Sequence, residues 1–346
     1  MRAVTYQGVR RVSVEDVPKP VLQSSTDAII RVTLSAICGS DLHVFHGRIR
    51  GMEPGDIVGH EYVGTVEQLG DDVKLLTPGS RVLGSFFTAC GHCWACRMGF
   101  FTQCIHSQLF GFGSRFGNLS GAQAQWVRVP YADQTLRPLP ESITDEQGIL
   151  IEDILSTAYF ATQRGNIVAG DIVAVIGAGP VGLLSIQMAY VFGASLVVAL
   201  DLVPQRLEQA QRLGAHPLLV NGKEGAITHD LTNGRGVDVV IEAVGSGAGL
   251  DLASRLARPF ATISAAGVFT EPSLPLPMGR IFAKDLTLRS GMANVMSAFG
   301  PVMALVENGR LKPEVVITHR MPLEASEEAY QIFDQKEAMK IILLAD

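Results

Sequence analysis

The chain has 346 residues, of which 47% are hydrophobic, and a formal net charge of -6. That length exceeds what one hydrophobic core serves, so two domains are expected. The acidic balance, with no run of five or more basic residues, leaves no electrostatic footprint for nucleic acid, and none is expected as a partner.

The stretch from Met1 to Gly8 lacks the apolar core of a signal peptide and reads as a first strand ending at a turn. From there to about Val129, short β-rich runs are broken by Gly and Pro: Ala28 to Leu34, Gly64 to Leu69, Arg81 to Phe86 and Gln125 to Val129. They predict an all-β module with loops. Pro138, Pro140 and the polar run from Glu141 to Asp145 mark a turn into a helix predicted from near Asp145 through Ile154.

After Asp171 strand and helix patterns alternate: Ile172 to Ile176, Gly182 to Phe192, Leu196 to Leu200, Pro204 to Leu213, Val237 to Glu242, Leu250 to Leu256, Ala261 to Ala265 and Leu286 to Ser290. Such alternation predicts a parallel sheet covered on both faces. The 29 positions from 172 to 200 carry no charge, and that is long enough for a membrane span. Gly177, Gly179, Gly182 and Gly193 interrupt the run, however, and divide it into a buried strand, a turn, a helix and a second buried strand. No membrane is therefore expected. A helix near Phe299 to Asn308 and a strand from Ala338 to Leu344 follow, in a tail expected to return to the first domain. The fold class is thus α/β, with a mostly β domain (residues 1–153 and 292–346) and a doubly wound parallel-sheet domain (residues 154–291).

Two short runs carry catalytic chemistry, Cys38-Gly-Ser-Asp-Leu-His43 and Gly59-His60-Glu61-Tyr-Val-Gly64. Cys38 and His60 are of the ligand types zinc prefers, and a third ligand from elsewhere would leave one position open for a substrate oxygen. Ser40 and His43 follow the first ligand closely enough to reach that oxygen. A second group, Cys90, Cys93, Cys96 and Cys104, places four of the five cysteines within fifteen residues. Its spacing suits one tetrahedral ion held by thiolates in a reducing compartment, so a closed structural site and a cytoplasmic protein are expected. His92 and His106 beside it read as loop residues.

Gly177-Ala-Gly179-Pro180-Val181-Gly182 joins a strand to a helix. There the first glycine makes the tight turn, the second lets backbone approach a pyrophosphate and the third lets helix pack on strand. A second strand ends at Asp201, nineteen residues beyond Gly182. A carboxylate there accepts hydrogen bonds from the adenosine ribose and repels a 2'-phosphate, which favours NAD over NADP. Arg206 is expected along the adenine. Val244, Ala266, Gly267 and Val268 follow strand ends that face the expected NAD crevice.

These motifs, in this order and with Ile154-Leu-Ser-Thr157 between them, make the chain similar to the zinc-containing medium-chain dehydrogenase/reductase superfamily, the alcohol and polyol dehydrogenases. The resemblance spans nearly the whole length. It implies a GroES-like catalytic domain with a structural zinc lobe at about 88–106, a Rossmann NAD-binding domain, and two zinc ions per subunit. Cys38 and His60 match the catalytic ligands, and Asp153 matches a further one. The adjacent Glu152 is a rival, although Asp-Ile-Leu-Ser-Thr aligns without a gap. Glu61 matches a residue that approaches the zinc in some members, and Asp41 a carboxylate that holds the ligating imidazole. The family's proton relay runs through the positions of Ser40 and His43, while Thr157 and Val181 match residues flanking the nicotinamide. Where some relatives carry an arginine after the first ligand this chain has Gly39, so cofactor anchoring is expected from the glycine turn, Arg206 and a C-terminal base such as Lys340.

The activity so implied is reversible oxidation of a primary or secondary alcohol to an aldehyde or ketone. Polyol, threonine and formaldehyde dehydrogenases share the constellation, and a non-catalytic NAD-binding protein is a rival of another class that the intact site residues disfavour. The substrate is a small molecule. The strand Leu286 to Ser290 is expected at a sheet edge that could pair across a two-fold axis, giving a homo-oligomer, a tetramer in preference to a dimer.

Overall fold

The computed structural model describes residues 1–271 and 273–345, and the chain divides into two compact units. The first joins Met1–Asp153 to the segment from Asn294 onward, and the second is Ile154–Ala293.

In the first unit the strand Ala28–Ile37 organises a seven-stranded sheet. Its β-branched and aliphatic residues are buried on both faces through most of its length, which is what a central strand requires. It pairs antiparallel with Tyr62–Leu69, Trp126–Val129 and Lys340–Leu344. Register brings the site together. Ile37 lies opposite Ile341 and Ser35 opposite Tyr62. Cys38 follows the first of these strands, Glu61 precedes the second and Lys340 opens the third, so three distant stretches of sequence end at one place on the sheet.

The predicted helix begins as expected, with a capping box in which the Thr144 hydroxyl accepts from the Gln147 N–H and the Gln147 side chain accepts from Thr144. It stops at Leu150. Residues Ile151–Leu155 form one π-helical turn before a new α-helix, Ser156–Gly165. Such turns are rare and concentrate at functional sites.

The second unit is built on six strands: β1 (Ile172–Ile176), β2 (Leu196–Asp201), β3 (His216–Leu219), β4 (Val237–Glu242), β5 (Ala257–Ala265) and β6 (Thr287–Ser290). Every pairing is parallel, in the order β3-β2-β1-β4-β5-β6. This is the doubly wound arrangement whose strand order reverses beside β1. The uncharged run of residues 172–200 resolves into β1, the helix Pro180–Phe192 and β2, and among the described residues no helix is long and apolar enough to cross a membrane. Gly177 adopts φ +91°, open to glycine but costly for other residues, and a Cβ on Gly182 would sit 1.8 Å from the Gly177 carbonyl oxygen. The turn therefore depends on both.

Candidate active site

The first unit gathers Cys38, His60, Glu61 and Asp153 so that one donor atom of each lies within 4.8 Å of every other. His60 is 2% exposed, and its Nδ1 donates to Asp41 Oδ1 at 2.9 Å. That bond turns Nε2 inward as the free donor. Asp41 is itself fixed, because its Oδ2 accepts the Cys38 N–H at 2.9 Å and the Gln123 amide at 3.5 Å.

The spacing suits zinc. Bonds of about 2.0–2.3 Å in a tetrahedron put ligand atoms about 3.3–3.8 Å apart. The distance from His60 Nε2 to Asp153 Oδ2 is 3.4 Å, and that from Cys38 Sγ to the same oxygen is 3.7 Å. Glu152, the sequence rival of Asp153, does not join the set: the π-turn leaves its carboxyl fully buried, with no hydrogen-bond partner for either oxygen among the described residues. Burial, then Asp153 and Glu61, raise the pKa of Glu152 well above the ordinary range.

Electrostatics around the set are shaped by burial and by several acidic groups held close together. Burial and the neighbouring Glu61 and Asp153 raise the Cys38 thiol, and burial pushes Glu61 up to about 7 against the pull of Lys340. Burial opposes the charge on His60, yet Asp41, Asp153 and Cys38 outweigh it and hold its pKa well above the usual value. A cation among these donors would relieve the shared strain.

Lys340, expected to reach a pyrophosphate, is instead fully buried, with its ammonium on Glu61 Oε2. The expectation fails because Lys340 opens a central strand and points into the sheet's interior. Its pKa is raised, since Glu61 and Cys38 overcome the cost of burial. The other oxygen of Glu61, Oε1, has no hydrogen-bond partner among the described residues and remains available as a metal ligand. Periodicity gave no sign of this pair, because a lysine at a strand start usually snorkels to solvent.

Ser40 immediately precedes the short helix Asp41–Phe45, and its Oγ lies 3.2 Å from His60 Nε2. His43 is one turn on, its backbone N–H donating to the Ser40 carbonyl at 3.0 Å. Its buried Nδ1 has no hydrogen-bond partner among the described residues, and burial, then Arg48 and His46, lower its pKa. The rings of Phe112 and Phe86 flank His60 at centroid distances of 5.4 and 6.2 Å, an apolar wall beside the polar set. Phe87 is buried behind Phe86, and the side chain of Asn294 donates to the Gly99 carbonyl.

The second cysteine group is equally compact, with the sulfurs of Cys90, Cys93, Cys96 and Cys104 all within 4.8 Å. Backbone N–H groups of Cys90 and His106 donate to Cys104 Sγ, and that of Cys93 to Cys90 Sγ. Such donors favour thiolates. Backbone N–H groups of Cys96 and Ile105 lower Cys93 to about 6, while burial pushes Cys96 up to about 12. His92 and His106 also approach Cys90, with His92 Nδ1 bonded to the Cys90 carbonyl at 2.8 Å, as neighbours of a sulfur set that is complete without them.

In the second unit a Cβ on Gly179 would meet nothing nearer than Arg206 Nη1 at 3.9 Å, so the N-terminus of the helix Pro180–Phe192 is open to an anion. Val181 is half-buried on that helix, and Thr157 is half-buried on the helix Ser156–Gly165. Asp201 does more than its sequence position suggested. Its Oδ2 accepts the Ala178 N–H at 2.7 Å and its Oδ1 the Val203 N–H at 2.9 Å, tying the glycine turn to the end of β2. Arg206 stands 3.9 Å from the same carboxylate. Val244, Ala266, Gly267 and Val268 occupy the loops after β4 and β5, with the two valines half exposed.

Residues 24–141 match the family described as alcohol dehydrogenase GroES-like domain, and residues 180–308 match zinc-binding dehydrogenase. A zinc-type alcohol dehydrogenase-like protein of Bacillus subtilis is 36% identical over 99% of this chain and 100% of its own. The structure of the alcohol dehydrogenase TADH from Thermus sp. ATN1 matches with a TM-score of 0.95 at 46% identity, covering 99% of both chains. An Escherichia coli alcohol dehydrogenase solved with NADH matches with a TM-score of 0.88 at 27% identity over 99% of both chains. The first match takes in Cys38, His60 and the four cysteines, the second begins within the glycine turn and takes in most of the second unit, and the chain belongs to the zinc-containing medium-chain dehydrogenase/reductase superfamily of alcohol dehydrogenases.

Proposed function

We propose that the protein is an NAD-linked, zinc-dependent alcohol dehydrogenase that interconverts primary or secondary alcohols with aldehydes or ketones. The observation that carries this reading is the convergence of Cys38, His60 and Asp153 at tetrahedral spacing, with Ser40 and His43 beside them. Bound zinc would act as a Lewis acid on the alcohol oxygen, and NAD would accept the hydride. Asp41 keeps His60 in the tautomer that presents Nε2. Glu61, fixed by Lys340, offers Oε1 as an additional donor. Ser40 Oγ sits where it can take the substrate's proton. The lowered pKa of His43 keeps its imidazole neutral near pH 7, and its unpartnered Nδ1 can receive a proton. Phe86 and Phe112 suit the carbon skeleton of a small alcohol.

The four-cysteine lobe would hold a second, structural zinc. For the cofactor, Gly177, Gly179, Pro180, Val181 and Gly182 form the pyrophosphate turn, and Asp201 with Arg206 the adenosine end. Thr157, Val244, Ala266, Gly267 and Val268 form the nicotinamide end. The NADH in the related E. coli structure supports a nicotinamide partner, and Asp201 supports NAD over NADP. β6, a largely exposed edge strand, supports assembly into a homo-oligomer, with a tetramer preferred.

The test is NADH formation with ethanol, longer alkanols, cyclohexanol, sorbitol, threonine and formaldehyde, alongside metal analysis. Turnover of simple alcohols with two zinc ions per chain is expected; turnover confined to polyols would overturn the substrate assignment. Asp201→Gly is expected to shift the ratio of kcat/KM values toward NADP by about tenfold or more, through loss of charge repulsion of about 1.4 kcal/mol or above. Both cofactors should also bind less well, because Ala178 N–H loses its acceptor. An unchanged ratio would refute the role of Asp201.

A further inference from the structure

We propose that Glu242 is a positioning residue for the cofactor, its buried carboxylate holding in place the loop that follows β4, against which the loop after β5 packs. The inference rests on assigning Val244, Ala266, Gly267 and Val268 to the nicotinamide end of the site.

Glu242 ends β4 and is fully buried, yet among the described residues no salt-bridge partner neutralises it. Its Oε1 accepts the N–H groups of Val244 at 3.1 Å and Gly245 at 2.9 Å, and its Oε2 accepts Gly245 again at 3.1 Å. Ser246 contributes a further backbone N–H. The carboxylate therefore curls residues 244–246 around itself, as an anion does in a backbone nest. Its own backbone carbonyl accepts the N–H groups of Ala266 at 2.8 Å and Gly267 at 3.1 Å, from the loop after β5. One residue thus ties down both loops.

Close packing makes this tie consequential. A Cβ on Gly267 would lie 2.0 Å from Gly245 N, and one on Gly245 would lie 2.4 Å from the Val268 carbonyl oxygen, so the loops touch backbone to backbone. A Cβ on Gly177, the first glycine of the pyrophosphate turn, would lie 2.7 Å from Val244 Cγ2. A shift of Val244 is therefore felt at both loops and at the glycine turn.

Burial pushes Glu242 up to about 7, with the backbone N–H groups of Gly245, Val244 and Ser246 pulling the other way. Charged side chains on the packed elements are engaged elsewhere. Asp251 and Arg255, on the helix Gly247–Leu256, pair with Arg280 and with Glu224 and Asp251, while Arg258 of β5 pairs with Asp238. Because the folded value exceeds the ordinary 4.5, the folded state binds the extra proton between these values. Stability from this group falls as pH rises through that window, and the ionised carboxylate is a net cost above it. Fold stability alone does not account for an ionised glutamate here, whereas loop geometry does.

Glu242→Gln keeps the shape and removes the charge. The NADH dissociation constant of the holoenzyme, read by fluorescence titration at pH 8, is expected to rise about tenfold, the loss of one charge-assisted bond. The alcohol KM at saturating NAD and the melting temperature should hold steady or the latter rise. Wild-type affinity for NADH should weaken as pH falls below about 7, and the variant's pH profile should be flatter than wild type's. Gly249→Ala is the second probe, since its Cβ would stand 2.3 Å from Glu242 Oε1 and displace the carboxylate without altering it; the same loss of NADH affinity is expected. Unchanged NADH affinity in both variants, or a lowered melting temperature with affinity intact, would overturn the proposal. A wild-type chain that binds no NADH would overturn the cofactor assignment itself.

Discussion

Cys38→Ala is expected to lower kcat/KM for alcohol oxidation by at least about a thousandfold, equivalent to several kcal/mol of transition-state stabilisation. Metal analysis should find one zinc per chain in place of two. Cys38 lies just beyond the end of the strand Ala28–Ile37, so its removal leaves the sheet's register and the pairing of Asp41 with His60 untouched. Circular dichroism should accordingly match the wild type. Loss of activity with both zinc ions retained would mean that the donor set is not the catalytic metal site. Retained activity with one zinc would mean that the reaction does not depend on this metal. Cys96→Ser should give the opposite pattern: it leaves Cys38, His60 and Asp153 intact, and its primary effect is on the stability of the lobe.

Lys340→Met is the substitution with the largest expected effect on stability. It leaves Glu61, which is fully buried, without its counter-ion, and breaking a buried pair in this way costs about 3–5 kcal/mol. Denaturant unfolding of the metal-loaded protein measures the loss. Glu61→Gln on the same background should recover most of it, because the stranded charge is then gone. If the double variant is no better than the single one, Lys340 acts by filling space and the ion pair is incidental. Lys340→Arg is a harder replacement than it looks, since a planar fork must fit where a compact ammonium sits.

The alternating half of the chain was legible because its strands are buried on both faces and its turns are marked by glycine. From Ile172 to Glu242 the predicted and observed strand limits differ by at most one residue, β3 aside. β3 went unread because His216–Leu219 is short and begins with His-Pro, which carries no strand signal. The strand Ile317–Pro322 and the helix Ser326–Asp334 were missed for a related reason: the strand alternates half-buried with exposed residues such as Thr318 and Arg320, and the helix opens on charged residues.

Side-chain identity and spacing single out Cys38 with His60, and separately the four cysteines, and the fold does bring the members of each group together. Identity and spacing could not choose between Glu152 and Asp153, because a helical wheel assumes regular geometry and the π-turn departs from it by one residue. Nor could spacing reveal Lys340 beside Glu61. That contact depends on which strands neighbour Ala28–Ile37, a long-range choice that local pattern does not encode.

The pairing of Lys340–Leu344 with Ala28–Ile37 also bears on how an active molecule comes into being. A chain made from its N-terminus carries Cys38, His60 and Asp153 early, but the lysine that answers Glu61 comes 279 residues after it. Until that strand is synthesised and inserted, the sheet lacks an inner member and Glu61 has no cation. Metal-ligating chemistry is thus present in the nascent chain well before Lys340 can meet Glu61, and the finished site waits on a strand pairing of long sequence separation.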